Sequence, residues 1–479
     1  MSDKKSFYIT TTLPYVNADP HIGFAMELVR ADVVARFKKS QGFEVFFNTG
    51  TDEHGQKVWQ NAVNSKVEPQ KYVDGYAEKF KDLIPLLGIS EDVYFIRTTD
   101  KNHEAAAEEF WKRCAEAGDI YKKNYTIKYC VGCELEKTDS EIENGHCIIH
   151  PHLELEIREE ENYFFKFSKY QKPLLEFYAK NSQFVIPDFR FNEIKAFVER
   201  GLEDFSISRL KDKMSWGVPV PGDEAHVMYV WFDALVSYIS TLGWPNDEEN
   251  FSKFWKNGTP VQYAGKDNLR QQSAMWQAML MSANLPQSHQ IVINGFITSG
   301  GQKMSKSLGN VINPIEAVEK YGVEAFRYFV CRELSTFEDS DFTWERYHDA
   351  FNGNLANGLG NLTSRIMKMA ETHLEKFEIP PHASKHTIEK FMENFEIQKA
   401  MNHIWEEIAE LDRTIQTTEP FKLIKTDAEK GKEIIKELVI KLSHISVSLA
   451  PFMPETSEKI LNLIKDNRSP SEPLFMRKD

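Results

Sequence analysis

Apolar positions follow two periods along the first fifty residues. "SFYIT" is a short run of β-branched and aromatic residues; after it Ile22, Met26, Val29, Val33 and Phe37 recur at helical spacing until Gly42, and "FEVFF" follows. Alternation and short apolar runs mark strands, and a period near 3.6 marks a helix. The chain therefore opens as a strand ending near Pro14, a loop, a helix and a second strand, which is the first unit of a parallel, doubly wound α/β sheet. Ligands on such sheets bind beyond the carboxyl ends of the strands, where the loops "PYVNADPHIG" and "NTGTDEHG" fall. From about residue 119 to 225 the pattern breaks into short strands, a cysteine cluster and loops, as an insertion would. The α/β pattern resumes at "HVMYVWFDALVSYIS" and continues through "IVINGFI". Beyond about residue 350 the runs around "FNGNLANGLGNLTSRIMKMA", "IQKAMNHIWEEIAELDRTIQ" and "KEIIKELVIKLSHISVSLAPFM" are amphipathic helices.

A length of 479 residues suits two to four domains. With 41% hydrophobic and 27% charged residues the chain reads as globular, and no apolar run is long enough to span a bilayer. The start "MSDKKSFYIT" lacks the apolar core of a signal peptide, so a cytoplasmic protein with no membrane partner is expected. The net charge of -14 weighs against a polyanionic partner, because nucleic-acid binding draws on Lys and Arg. That charge is uneven. Residues 351–479 hold 18 basic and 20 acidic side chains, so a local basic face is compatible with this part.

Three features carry chemistry. His21 and Gly23 stand at the start of the first helix, where unpaired N–H groups and the dipole favour an anion. "GQKMSKSLGN" places Lys303 and Lys306 on a glycine-flanked loop; together with the helix start they make two halves of one phosphate site. "CVGC" and "CIIH" give the spacing C-x2-C-x13-C-x2-H, which supplies Cys130, Cys133, Cys147 and His150 as tetrahedral zinc ligands, with His152 as the competitor for His150. Four protein ligands leave no open position, so one structural zinc is expected.

"PHIGF" and "KMSKS" resemble the two signature motifs of class I aminoacyl-tRNA synthetases. From "TLPYVNADPHIG" through "GTDEHG", the cysteine knuckle, "ISR", "YVWFDAL", "GKD" and "KMSKS" to "NLANGLGNLTSR", the chain resembles the methionyl-tRNA synthetases over nearly its whole length. That resemblance implies a methionine–tRNA ligase with ATP, L-methionine and tRNA(Met) as substrates, Mg2+ accompanying ATP, and a monomer. It implies that His21, Gly23, Asp267, Lys303 and Lys306 hold ATP, with His21, Lys303 and Lys306 acting in catalysis. Asp52 would take the substrate ammonium, its alternative being a helix cap; Leu13, Tyr15, Trp231, Ala234 and Tyr238 would line the side-chain pocket. Asp267 could equally be a turn residue. Asn361, Arg365 and Phe421 would read the anticodon, Phe421 standing where the family often has a tryptophan. The sequence departs from the family pattern at Phe24, where a second histidine is usual, and at Leu235, Asn268 and Gln272 in place of proline, isoleucine and histidine. The implied division is a Rossmann-type catalytic domain in two halves (1–118 and 226–295), an inserted connective domain with the zinc knuckle (119–225), the KMSKS loop and stem-contact region (296–350) and a helical anticodon-binding domain (351–479).

Overall fold

Strand Ser6–Thr11 (β1) is buried over five of its six residues, as a central parallel strand must be, and leads through residues 12–21 into helix Ile22–Ser40 (α1). In the computed structural model, which describes residues 5–133, 135–137, 141–304, 310–380 and 388–479, the chain divides into two compact units. The first comprises residues 1–20, 42–83 and 91–293, and the second residues 21–41, 84–90 and 294–479.

The main sheet adds Glu44–Thr51 (β2), Tyr94–Arg97 (β3), Val185–Ile186 (β4), Thr259–Gly265 (β5) and Gln290–Asn294 (β6) to β1, in the order β3-β2-β1-β5-β6-β4. Ile9 pairs in parallel with Phe47 on one side and Val261 on the other. Strand order thus reverses between β1 and β5, and the segments leaving their carboxyl ends, Thr12 onward and Lys266 onward, flank the switch point. The first strand ends at Thr11 rather than near Pro14, but its pairing does not stop there: the Asp52 N–H donates to Pro14 O (3.0 Å) and the Val16 N–H to Asp52 O (3.2 Å). Helix Lys101–Glu116 (α2) and the short helices Val230–Ala234 (α3) and Ser237–Ser240 (α4) belong to the same unit.

Within residues 119–225, expected to be an insertion, a four-stranded sheet is built on Ile120–Cys130 and Glu156–Phe165, antiparallel from Ile120↔Phe165 to Tyr129↔Glu156, but Val185–Ile186 of the same stretch pairs with β6 in the main sheet. Its entry is anchored by Asp119, whose carboxylate accepts from Lys169 Nζ (2.6 Å), Tyr170 Oη (2.5 Å) and Ser282 Oγ (2.9 Å). The segment "HVMYVWFDALVSYIS" departs from a simple strand–helix reading. Asp223–Met228 joins a separate three-stranded antiparallel sheet, and α3 and α4 follow it directly.

In the second unit α1 buries charged groups as well as apolar ones. Arg30, with no exposed surface, donates to the carbonyls of Val330, Leu334 and Ser335 at 2.8–3.0 Å. Asp32 accepts from Arg327 (2.8 Å), Arg36 (2.7 Å) and Ser90 Oγ (2.6 Å); burial pushes its carboxyl up, but these cations and hydrogen bonds prevail and hold it below the usual range. The C-terminal part is helical as expected: Asn361–His373 (α5), Ile397–Thr418 (α6), Ala428–Leu449 (α7) and Pro454–Asp466 (α8). Ile397, Met401, Ile404, Ile408, Leu411 and Ile415 make the buried stripe of α6. Among the described residues no helix is long and apolar enough to cross a membrane.

Candidate functional site

The residues expected to hold the amino acid all lie in the first unit, in the loop after β1, at the end of β2 and on α3 and α4. Asp52 is 2% exposed, and its backbone is paired with the Tyr15 segment on both sides. The following helix, Gln56–Asn64, has Gly55 as its N-cap, so Asp52 is not a helix cap. Tyr15 meets Trp231 edge-to-face, with ring centroids 6.0 Å apart at 78°. A buried carboxylate and two aromatic walls are thereby brought together, a combination suited to an ammonium and a polarizable thioether. Ala234 lies three residues after Trp231 on the same helix face and is buried, as are Leu13 and Tyr238. The Tyr238 hydroxyl accepts from Gln272 Nε2, and the Gln272 carbonyl oxygen accepts from Gln262; the residue standing for the family's histidine is thus part of a buried polar chain.

A second cluster lies beside the first, and sequence reading did not single it out. Glu53, fully buried, accepts from Nε and Nη2 of Arg97 (2.7 and 2.9 Å), Thr51 Oγ1 (2.7 Å) and Thr99 Oγ1 (2.5 Å), and its carbonyl accepts from Trp216 Nε1 (2.7 Å). His54 Nδ1 lies 2.6 Å and His103 Nε2 2.8 Å from the two carboxylate oxygens of Asp233, which has no exposed surface. Burial pushes the Asp233 carboxyl up, but the two imidazoles more than offset it and leave it at about 2. Burial pushes the His54 pKa down, but Asp233, with Glu104 and Glu53, outweighs this and leaves it raised. "DEHG" and "WFDAL" contain these residues, but nothing local pairs positions 179 apart.

Of the residues expected to hold ATP, Asp267 sits exposed in the turn Lys266–Asn268 at the carboxyl end of β5, where its carboxylate accepts from Asn268 Nδ2 (3.2 Å). His21, in the second unit, is the N-cap of α1, and its Nδ1 accepts from the Gly23 N–H at 3.0 Å. In the neutral ring the proton therefore resides on Nε2, which makes that nitrogen a donor. A Cβ at position 23 would come within 2.9 Å of the His21 ring, so Gly23 is what lets the imidazole fold over the helix start. Phe24 is 7% exposed and packed inward. Lys303 ends the strand Gln302–Lys303, and Lys306 lies outside the described residues.

Cys130, Cys133, Cys147 and His150 bring their ligand atoms within 4.8 Å of one another. His150 Nδ1 lies 3.2 Å from Cys133 Sγ and 3.8 Å from Cys130 Sγ, and Cys133 Sγ lies 3.4 Å from Cys147 Sγ. Four soft or borderline donors around one centre can hold a metal ion. The geometry gathers His150, not His152, and a Cβ on Gly132 would meet the His150 ring at 2.6 Å.

On the helical part Asn361 and Arg365 share one face of α5. A cavity of about 280 Å³ is lined by Asn361, Arg365, Trp405 and Asp412, and another of about 480 Å³ by Arg365, Lys368, Ile415 and Phe421. Arg365 borders both, held by an ion pair with Asp412. Phe421 is 44% exposed, which excludes a core role for its ring.

The family described as tRNA synthetases class I (M) matches residues 7–148 and 132–367. The methionine–tRNA ligase of Thermotoga maritima is 39% identical over 97% of this chain and 76% of the relative; that of Rickettsia felis is 39% identical over 98% and 94%. The Mycobacterium tuberculosis methionyl-tRNA synthetase in complex with methionyl-adenylate superposes with a TM-score of 0.88, at 34% identity over 97% of this chain and 95% of the other. The family match and relatives at this identity over nearly the whole chain, joined to a parallel sheet with a switch point, place the chain in the class I tRNA synthetases, in the group marked (M).

Proposed function

We propose that this chain activates L-methionine with ATP to methionyl-adenylate and then transfers methionine to the 3′ adenosine of tRNA(Met). The observation that carries this reading is the grouping of Asp52, Tyr15 and Trp231, one buried carboxylate and two aromatic rings, beside the switch point of a chain in this family. Asp52 pairs with the ammonium of the substrate, and Tyr15, Trp231, Ala234, Leu13 and Tyr238 surround the thioether.

A methionine carboxylate oxygen attacks the α-phosphorus, and the bond from that phosphorus to the bridging oxygen breaks, so pyrophosphate leaves with the electron pair. His21 Nε2–H and the helix start with Gly23, together with Lys303 and Lys306, stabilise the charge on the phosphates, and Asp267 holds the ribose. Positioning and charge stabilisation carry the step, without a side chain acting as acid or base. Mg2+ accompanies ATP. Cys130, Cys133, Cys147 and His150 hold one zinc ion, which supplies structural cross-linking to the insertion rather than chemistry. Asn361, Arg365 and Phe421 read the anticodon, the ring by stacking on an unpaired base. The division into catalytic halves 1–118 and 226–295, insertion 119–225, loop region 296–350 and anticodon-binding part 351–479 goes with this reading, as do a monomer and a cytoplasmic location.

Exchange of labelled pyrophosphate into ATP, tried with each amino acid in turn, tests it: methionine alone should support exchange. Lys306→Ala should lower that exchange by on the order of 10²-fold while leaving methionine binding intact. Exchange that depends on another amino acid, or on none, would overturn the proposal.

A further inference from the structure

The carboxylate of Asp233 joins two parts of the amino-acid site that are far apart in sequence. His54 is two residues beyond Asp52, and Asp233 is two residues beyond Trp231. The His54–Asp233 contact of 2.6 Å therefore ties the end of β2 to α3, and the Tyr15–Trp231 ring contact ties to α3 the segment after β1, whose Tyr15 pairs with Asp52. The second oxygen of Asp233 takes His103 from α2 at 2.8 Å, and His103 Nδ1 lies 2.9 Å from Ser240 Oγ of α4. Three elements thus meet on one carboxylate with no exposed surface, and α4 is joined to it through His103.

The chemistry of the contacts fixes their direction. An ionised carboxylate only accepts, so His54 carries a proton on Nδ1 and His103 one on Nε2, leaving His103 Nδ1 toward Ser240 Oγ. Trp216 meets the His54 ring edge-to-face, with centroids 5.5 Å apart, while donating to the carbonyl of Glu53; this closes the remaining side. Besides Asp233, the charged groups that face His54 are Glu104 of α2 and its own neighbour Glu53.

We propose that Asp233 is a positioning residue for the amino-acid site: through His54 it holds the Asp52 carboxylate at a set distance from the Trp231 wall, and through His103 it holds α3 itself. The proposal rests on the assignment of Asp52 and Trp231 to the methionine pocket. Asp233 has no exposed surface and works through His54 and His103; its effect is on how well a preformed pocket fits the amino acid, so it acts on methionine and not on ATP.

The test is a set of paired substitutions assayed by pyrophosphate exchange, with methionine and ATP varied separately. Asn places its amide nitrogen where His54 has Nδ1, and Gln places its own where His103 has Nε2, so each keeps the N–H toward Asp233. His54→Ala should raise the KM for methionine roughly 10- to 100-fold with the KM for ATP unchanged, as for loss of one buried hydrogen bond to a charge. His54→Asn should recover most of that loss, and His103→Gln should likewise exceed His103→Ala. Asp233→Asn should behave as His54→Ala; where it does not fold, the two histidine pairs decide.

A methionine KM unaltered in His54→Ala overturns the proposal, as does an equal rise of both KM values or an Asn variant no better than Ala. Asp52→Asn and Trp231→Ala separate the two levels. If these two leave methionine binding unchanged, the pocket assignment fails. If they weaken it and His54→Ala does not, the positioning role alone fails.

Discussion

Gly132→Ala should unload the metal centre without touching a ligand. A Cβ built at position 132 lies 2.6 Å from His150 Cγ, 2.7 Å from Cδ2 and 2.9 Å from Nδ1, closer than nonbonded carbon contacts occur. The clash falls at the root of the ring and not at its tip, so no small rotation relieves it. His150 must swing away and take Nδ1 out of the group of four. A structural zinc bound by four ligands gains about 10–16 kcal/mol, so losing one should cost on the order of 3–4 kcal/mol, or roughly 10²- to 10³-fold in affinity. Competition with a chromogenic chelator measures this directly, with zinc content after dialysis as a second readout. Gly75→Ala, whose Cβ meets nothing within 4 Å, is the matched control and should keep full zinc. A double-mutant cycle sharpens the test: with His150 already Ala, Gly132→Ala should add little, because the clash has no partner. A Gly132→Ala protein with the wild-type competition curve, or full additivity in the cycle, would refute the reasoning.

Phe421→Ala should slow tRNA charging roughly 5- to 150-fold, the worth of one base stack, while Phe421→Trp stays near wild type and tRNA-independent pyrophosphate exchange is unchanged in both; normal charging by the Ala variant would remove Phe421 from the anticodon site. Phe24→His, which restores the histidine usual in the family, should lower thermal stability by about 1–3 kcal/mol, because the new imidazole would be buried where a phenyl ring packs. Unchanged stability by calorimetry would mean the side chain turns outward. For pH, Asp233 titrates at about 2 against an ordinary value of 3.8, so its stabilisation is complete above pH 4 and is lost as pH falls toward 2. Denaturant unfolding should show roughly 2 kcal/mol more loss across that window in the wild type than in Asp233→Asn, and parallel curves would contradict the assignment.

Features confined to a short stretch of chain were legible in the sequence. The 3.6-residue period through Val29 and Phe37 marks a helix that runs Ile22–Ser40, the apolar run "FEVFF" lies on strand Glu44–Thr51, and the cysteine spacing names three thiolates that do gather. These signals are local because helix faces, strand faces and chelate loops are built from residues a few positions apart. The choice of His150 over His152 was open in the spacing and was decided by the folded chain, which brings His150 Nδ1 to the cysteines. The reversal of strand order between β1 and β5, the inward packing of Phe24 and the meeting of His54, His103 and Asp233 depend on which distant segments lie side by side. Long-range hydrogen bonding and burial are properties of that packing. A buried carboxylate can exist only where the fold delivers its donors, and no periodicity along the chain records where they come from.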